Sequence, residues 1–130
     1  MANAHMVPVG TVDELPVGTR KIVEINGKSI GVFNVNGRFV AVLNLCPHEF
    51  APVCMGRVSG TTQASVPGQI EWVREGEILY CPWHGWEFDL FTGDCLTDHR
   101  RLRIFPVTVE DGQVIVDLRR GRVSTSTSNG

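Results

Sequence analysis

What is scarce in this chain narrows its possibilities. No run of apolar residues approaches the ~20 needed to cross a bilayer as a helix; the longest stretch without a charged side chain, Val58 to Ile70, is built largely of Ser, Gly, Thr, Gln and Pro. A membrane span is excluded on that count, and no signal-peptide pattern precedes the first charge. Basic excess is lacking as well: 12 Lys and Arg against 14 Asp and Glu leave a net charge of -2, too little positive field to hold a phosphate backbone, so nucleic acid is not an expected partner. No G-x-G-x-x-G run is present to bind a flavin or nicotinamide dinucleotide. Histidine is limited to 4 residues, which constrains any metal chemistry to a small set of ligands. A sustained 3.6-residue apolar period is absent too, which argues against a helical core.

What is present is a turn-rich globular composition, with 14 Gly and 7 Pro in 130 residues, a length suited to one domain. Asn26-Gly27, Asn36-Gly37 and Asp111-Gly112 suit the positive φ angles of two-residue hairpin loops. Around them, Lys21–Ile25, Ser29–Asn34 and Arg38–Leu45 read as a meander, and Leu102–Glu110 with Gln113–Leu118 as a later hairpin. Gln69–Arg74 and Ile78–Cys81 are expected to pair across Glu75-Gly76. The fold class is all-β. Residues 1–6 are set aside as a leader, 7–120 as the domain, and 121–130 as a disordered tail, since its Ser/Thr run has too little apolar surface to offset the entropy of ordering.

Chemistry collects between Cys46 and about Asp98. Cys46-Pro47-His48 and Cys81-Pro82-Trp83-His84 each follow a predicted strand and lead into turn-forming sequence. Two such loops facing each other offer two thiolates and two imidazoles. That donor set suits a tetrahedral zinc site or a [2Fe-2S] cluster with both Cys on one iron and both His on the other.

Cys-x-His followed by Cys-x-x-His, the latter within Cys81-Pro82-Trp83-His84-Gly85-Trp86-Glu87-Phe88-Asp89 and then Thr92-Gly93, resembles the Rieske iron-sulfur proteins from about Val9 to Leu118. The likeness is to the ferredoxin components of ring-hydroxylating dioxygenase systems and to oxygenase N-terminal domains. The respiratory and photosynthetic members place a disulfide cysteine immediately before the second ligand His, where this chain has Trp83. The resemblance implies an antiparallel β-sandwich or barrel base with a small cluster-binding subdomain, about 46–98. It implies one [2Fe-2S] cluster with Cys46 and Cys81 on one iron and His48 and His84 on the other. Two ferric ions, two sulfides and two thiolates sum to zero charge, so an electron is accepted more easily than by a four-thiolate cluster. Without the disulfide, or a hydroxyl residue beside the ligands, the potential is expected toward the lower end of the ~-150 to +300 mV range of such centres.

By the same resemblance the chain is a soluble, monomeric one-electron carrier in the cytoplasm, between a ferredoxin reductase and a terminal oxygenase or similar acceptor, and not itself an enzyme. A mononuclear iron site needs two His and a carboxylate, and only His5 and His99 remain after the cluster. The alternative is a non-catalytic small subunit of a larger oxidoreductase, like that of nitrite reductases; a zinc-stabilised binding module is a third reading. Pro47, Glu49, Phe50 and Trp83 form the expected docking rim, with a water-excluding role open for Trp83, whereas Trp86 and Phe88 read as core. Cys54 and Cys95 read as buried thiols in a reducing compartment. His99 reads as a solvated surface residue, and the following Arg100-Arg101-Leu102-Arg103 as a surface able to meet an acidic partner. Finally, 32 residues separate His48 from Cys81, roughly twice the spacing in the resembled ferredoxins. This points to a lengthened hairpin over about 54–80, either a partner-selecting flap beside the cluster or a tolerated surface insertion.

Overall fold

The computed structural model describes residues 5–47, 50–64, 68–83, 85–118 and 122–123. Its strands are β1 (Met6–Thr11), β2 (Arg20–Ile25), β3 (Lys28–Val35), β4 (Arg38–Leu43), β5 (Val58–Ala64), β6 (Ile70–Tyr80), β7 (Glu87–Asp89), β8 (Arg103–Phe105), β9 (Val107–Glu110), β10 (Gln113–Asp117) and β11 (Arg122–Val123). Short 3-10 turns occupy Val12–Glu14 and Val53–Met55. All pairings are antiparallel, in three sheets ordered β1-β10-β9, β11-β8-β4-β3-β2 and β5-β6-β7. No helix among the described residues is long and apolar enough to cross a membrane.

The middle sheet is buried on both faces, which explains why β3 reads as a nearly unbroken apolar run rather than a clean alternation. Side chains alternate across the pleat, and the register pairs Val32 with Ala41 and Phe33 with Val40. Ile30, Val32 and Ala41 accordingly join Val9, Leu15, Phe105, Val114 and Val116 on the side of β1 and β10. Phe33, Val35, Val40 and Val42 join Leu79, Phe88, Leu90 and Cys46, Cys54, Cys81 and Cys95 on the other. Asn34 is a polar insertion on the first side: its Nδ2 donates to the Leu15 carbonyl at 2.7 Å and its Oδ1 accepts the Gly37 N–H at 2.8 Å.

Four sequence expectations change. The run Leu102–Glu110 is two strands in different sheets, because Pro106 has no N–H to continue a ladder and the chain crosses layers there. His5 and Met6, set aside with the leader, join the first sheet: Met6 pairs with Asp117, and the His5 carbonyl accepts the Leu118 N–H at 2.8 Å. Arg122 and Val123 leave the expected tail to pair with Ile104 and Arg103; residues 124–130 lie outside the described residues.

Glu75-Gly76, the fourth, does not reverse the chain. Residues on both sides of it pair with β5 in the same direction, Val73 with Thr61 and Ile78 with Ser59. Arg74 and Gly76 do adopt positive φ, 61° and 87°, so the turn chemistry is expressed as a bulge opposite Gly60. Arg74 ties that bulge to its surroundings through Glu77 at 2.9 Å and Asp89 at 2.7 Å.

Candidate metal centre

Cys46 follows β4 and Cys81 follows β6, and both fall in one buried cluster between the sheets. The two loops are closed in the same way. Cys46 N–H donates to the Ala51 carbonyl at 2.8 Å, and the Cys46 carbonyl accepts the Phe50 N–H at 2.7 Å. Cys81 N–H donates to the Trp86 carbonyl at 2.8 Å, and the Cys81 carbonyl accepts the Gly85 N–H at 2.8 Å. Each loop thus returns to its cysteine through a residue four positions on, and that residue has positive φ in both: 61° at Phe50 and 73° at Gly85. Gly85 occupies this region without steric cost, whereas Phe50 does so despite its Cβ.

Both cysteines are buried in the same apolar cluster. His48, His84 and Glu49 lie outside the described residues. The donors that are described suit a cluster iron: two thiols at equivalent positions of two like loops, shielded from water, which is the environment in which soft thiolate ligands hold iron-sulfur centres. Trp83 and Phe50 are 56% and 69% exposed, and both present aromatic surface beside the cysteine loops. Pro47 is half-buried. Phe88 is fully buried and Trp86 packs against the same cluster, as core residues should.

The remaining candidates separate cleanly. Cys54 and Cys95 are both buried and neither is in a disulfide. Burial pushes the Cys54 thiol up to about 12, with the backbone of Gly31 and the charge of Arg20 acting in the opposite direction. His99 is exposed beside Asp98, 3.5 Å away. The arginine run is largely engaged within the chain, Arg100 with Asp98 at 3.8 Å and the Trp86 ring at 5.6 Å, and Arg101 with Asp94 at 3.0 Å.

The inserted hairpin is β5 and β6, rooted at the cysteine end, where Tyr80 N–H donates to the Arg57 carbonyl at 2.9 Å. Its pairing runs from Val58 with Leu79 at the root to Ala64 with Ile70; residues 65–67 lie outside the described residues. Sequence reasoning also missed Arg20, Asn44 and Gly56, which brace the segment between the two loops; contacts spanning 10 to 36 residues leave no local signal.

Residues 5–106 match the family model described as Rieske [2Fe-2S] domain. The 3-phenylpropionate/cinnamic acid dioxygenase ferredoxin subunit of Photorhabdus laumondii is 31% identical over 83% of this chain and 90% of its own length. The ferredoxin component of the naphthalene 1,2-dioxygenase/salicylate 5-hydroxylase systems of a Ralstonia species is 27% identical, over 88% and 96%. A solved chain titled as the complex of reduced oxygenase and oxidised ferredoxin in carbazole 1,9a-dioxygenase has the same fold, with a TM-score of 0.69 and 24% identity over 88% of this chain and 94% of that one. With two buried cysteines on like-closed loops and a family match over most of its length, this chain belongs to the Rieske [2Fe-2S] family and carries that family's single cluster.

Proposed function

We propose that the protein is a one-electron carrier of a dioxygenase system, with Cys46 and Cys81 on one iron of the cluster and His48 and His84 on the other. It receives electrons from a ferredoxin reductase and delivers them to a terminal oxygenase. The observation that carries the reading is the pair of like-closed loops with their buried cysteines, and the relatives named as ferredoxin components of dioxygenase systems support the assignment of partners. The cluster supplies reversible one-electron storage. The chain's own residues hold it, keep water from the cysteine side and present the docking surface.

Pro47, Glu49, Phe50 and Trp83 form that surface in our reading. Exposed aromatic side chains are costly in water and productive in an interface, and the left-handed backbone at Phe50 is a cost retained at a functional position. The protein makes and breaks no substrate bond. Beyond His48 and His84 the chain has His5, before β1, and the exposed His99, before β8, and in our reading neither joins a two-His, one-carboxylate iron site.

The test is direct. Purified protein should be brown and, once reduced, give the paramagnetic signal of a mixed nitrogen- and sulfur-ligated [2Fe-2S] centre. Substitution of His48 or His84 by Ala should abolish that signal while leaving the β-sheet circular dichroism. In a reconstituted chain of reductase, this protein and oxygenase, product should form only when it is present. A colourless protein containing zinc overturns the reading.

A further inference from the structure

Between the Cys46 loop and β5 the chain passes through the 3-10 turn Val53–Met55 and then Gly56 and Arg57. Side chains from distant strands hold this segment. Arg20, which opens β2, donates from Nη1 to the Cys54 carbonyl at 2.6 Å and to the Gly56 carbonyl, and its guanidinium lies 5.3 Å from the Phe33 ring centroid. Asn44, two residues before Cys46, accepts the Cys54 N–H on Oδ1 at 2.8 Å and donates from Nδ2 to Ser29 Oγ at 3.1 Å. Its amide therefore bridges the two ends of the first loop and ties both to β3.

The other side of the segment rests on the second loop. Gly56 is in direct backbone contact with Tyr80, the residue before Cys81; a Cβ at position 56 would lie 1.7 Å from the Tyr80 oxygen. The carbonyls at the end of a short helical turn have no partner within it, and a planar guanidinium can serve two at once where an ammonium offers a point charge. Arg20 therefore clamps a stretch of chain that runs from the first cysteine loop into backbone contact with Tyr80, the residue before Cys81.

We propose that Arg20 and Asn44 are positioning residues for the cluster. By locking the Val53–Gly56 turn between the middle sheet and Tyr80, they set the spacing of Cys46 and Cys81. The inference rests on the reading of those cysteines as ligands of one iron. The sulfur-iron-sulfur geometry follows that spacing, and ligand geometry and its surroundings tune cluster electronics.

The test compares cluster-loaded wild type with Arg20→Met, Arg20→Lys, Asn44→Ala and Asn44→Ser. Asn34→Ala serves as a control that removes a buried brace on the opposite face of the middle sheet. Arg20→Met and Asn44→Ala should shift the g-values and the reduction potential and lose iron to a chelator at least tenfold faster than wild type. Arg20→Lys, which keeps the charge and a donor, should restore part of each readout. Asn34→Ala should lower the melting temperature with g-values and potential unchanged. The proposal fails if Arg20→Met and Asn44→Ala lower stability while g-values, potential and chelator resistance remain those of wild type. If either does not fold, Arg20→Lys and Asn44→Ser decide by the same readouts, unaltered values again refuting it. A wild-type protein lacking the mixed nitrogen and sulfur signal refutes the ligand assignment, and this proposal with it.

Discussion

Gly56→Ala should be the most damaging glycine-to-alanine change among the described residues. The backbone at Gly56, φ -75° and ψ 168°, is open to any residue, so the substitution carries no conformational strain of its own. Its cost is contact. The added Cβ would fall 1.7 Å from the Tyr80 oxygen and 2.9 Å from the Tyr80 carbonyl carbon, where about 3.3 Å is the ordinary carbon-oxygen approach. Neither neighbour can rotate away, since both are main chain. The segment must retreat from β6 by about 1.6 Å on that figure, which breaks the hydrogen bond from Tyr80 to Arg57 and weakens that from Arg20 to Gly56. Overpacking contributes about 1–3 kcal/mol and the two hydrogen bonds about 2–3 kcal/mol together. The smaller entropy of alanine in the unfolded chain returns about 0.5–1 kcal/mol. The net loss is about 2–5 kcal/mol, which for a chain of this size lowers the melting temperature by about 7–20 °C. Urea unfolding followed by circular dichroism, with iron counted per chain, measures both stability and cluster retention. A variant within about 0.5 kcal/mol of wild type and fully loaded with iron would refute the close backbone approach and the role assigned to this junction.

Other consequences are open to measurement. The Cys54 thiol keeps its proton to about 12 in the folded chain against 9.0 for a thiol in water. The unfolded chain therefore ionises first, and the stabilisation present below pH 9 is lost as pH rises toward 12, about 1.4 kcal/mol of it by pH 10. Stability curves of wild type and Cys54→Ala should converge by that amount between pH 8 and 10; parallel curves refute the buried neutral thiol. Trimming the hairpin around Gly68 should leave the potential and the rate of acceptor reduction unchanged, because the pairing that borders Cys81 is at the root, Val58 with Leu79; a slowed acceptor would show that the ribbon makes a contact of its own. Phe50→Ala and Trp83→Ala should slow electron delivery to the oxygenase severalfold at unchanged potential, as stopped-flow reduction can measure. Asn34→Ala strands the Leu15 carbonyl and the Gly37 N–H and should cost about 2 kcal/mol in urea unfolding.

The two cysteine-bearing loops were legible because their signal is local. Cys46-Pro47-His48 and Cys81-Pro82-Trp83-His84 sit within a few positions, and a loop closed at a strand end needs no distant contact to be recognised. The Asn-Gly and Asp-Gly hairpins were legible for the same reason: Asn26, Asn36 and Asp111 all have positive φ, as those dipeptides require. Glu75-Gly76 shows the limit. A glycine at positive φ is compatible with a turn or with a bulge, and only pairing with β5 on both sides decides between them.

By itself, then, the sequence determined the β class, the hairpin turns and the two cysteine-bearing loops, because turn geometry and alternation act over two to eight residues. Tertiary structure alone decided that Met6 and Val123 belong to sheets, that Pro106 divides one apparent strand between two layers, and that Glu75-Gly76 forms a bulge and not a reversal. It also decided that Arg20, Asn44 and Gly56 hold the two loops together. Those outcomes depend on which surfaces meet across tens of residues, and a guanidinium on β2 finds the carbonyls of Cys54 and Gly56 only once the sheets have stacked.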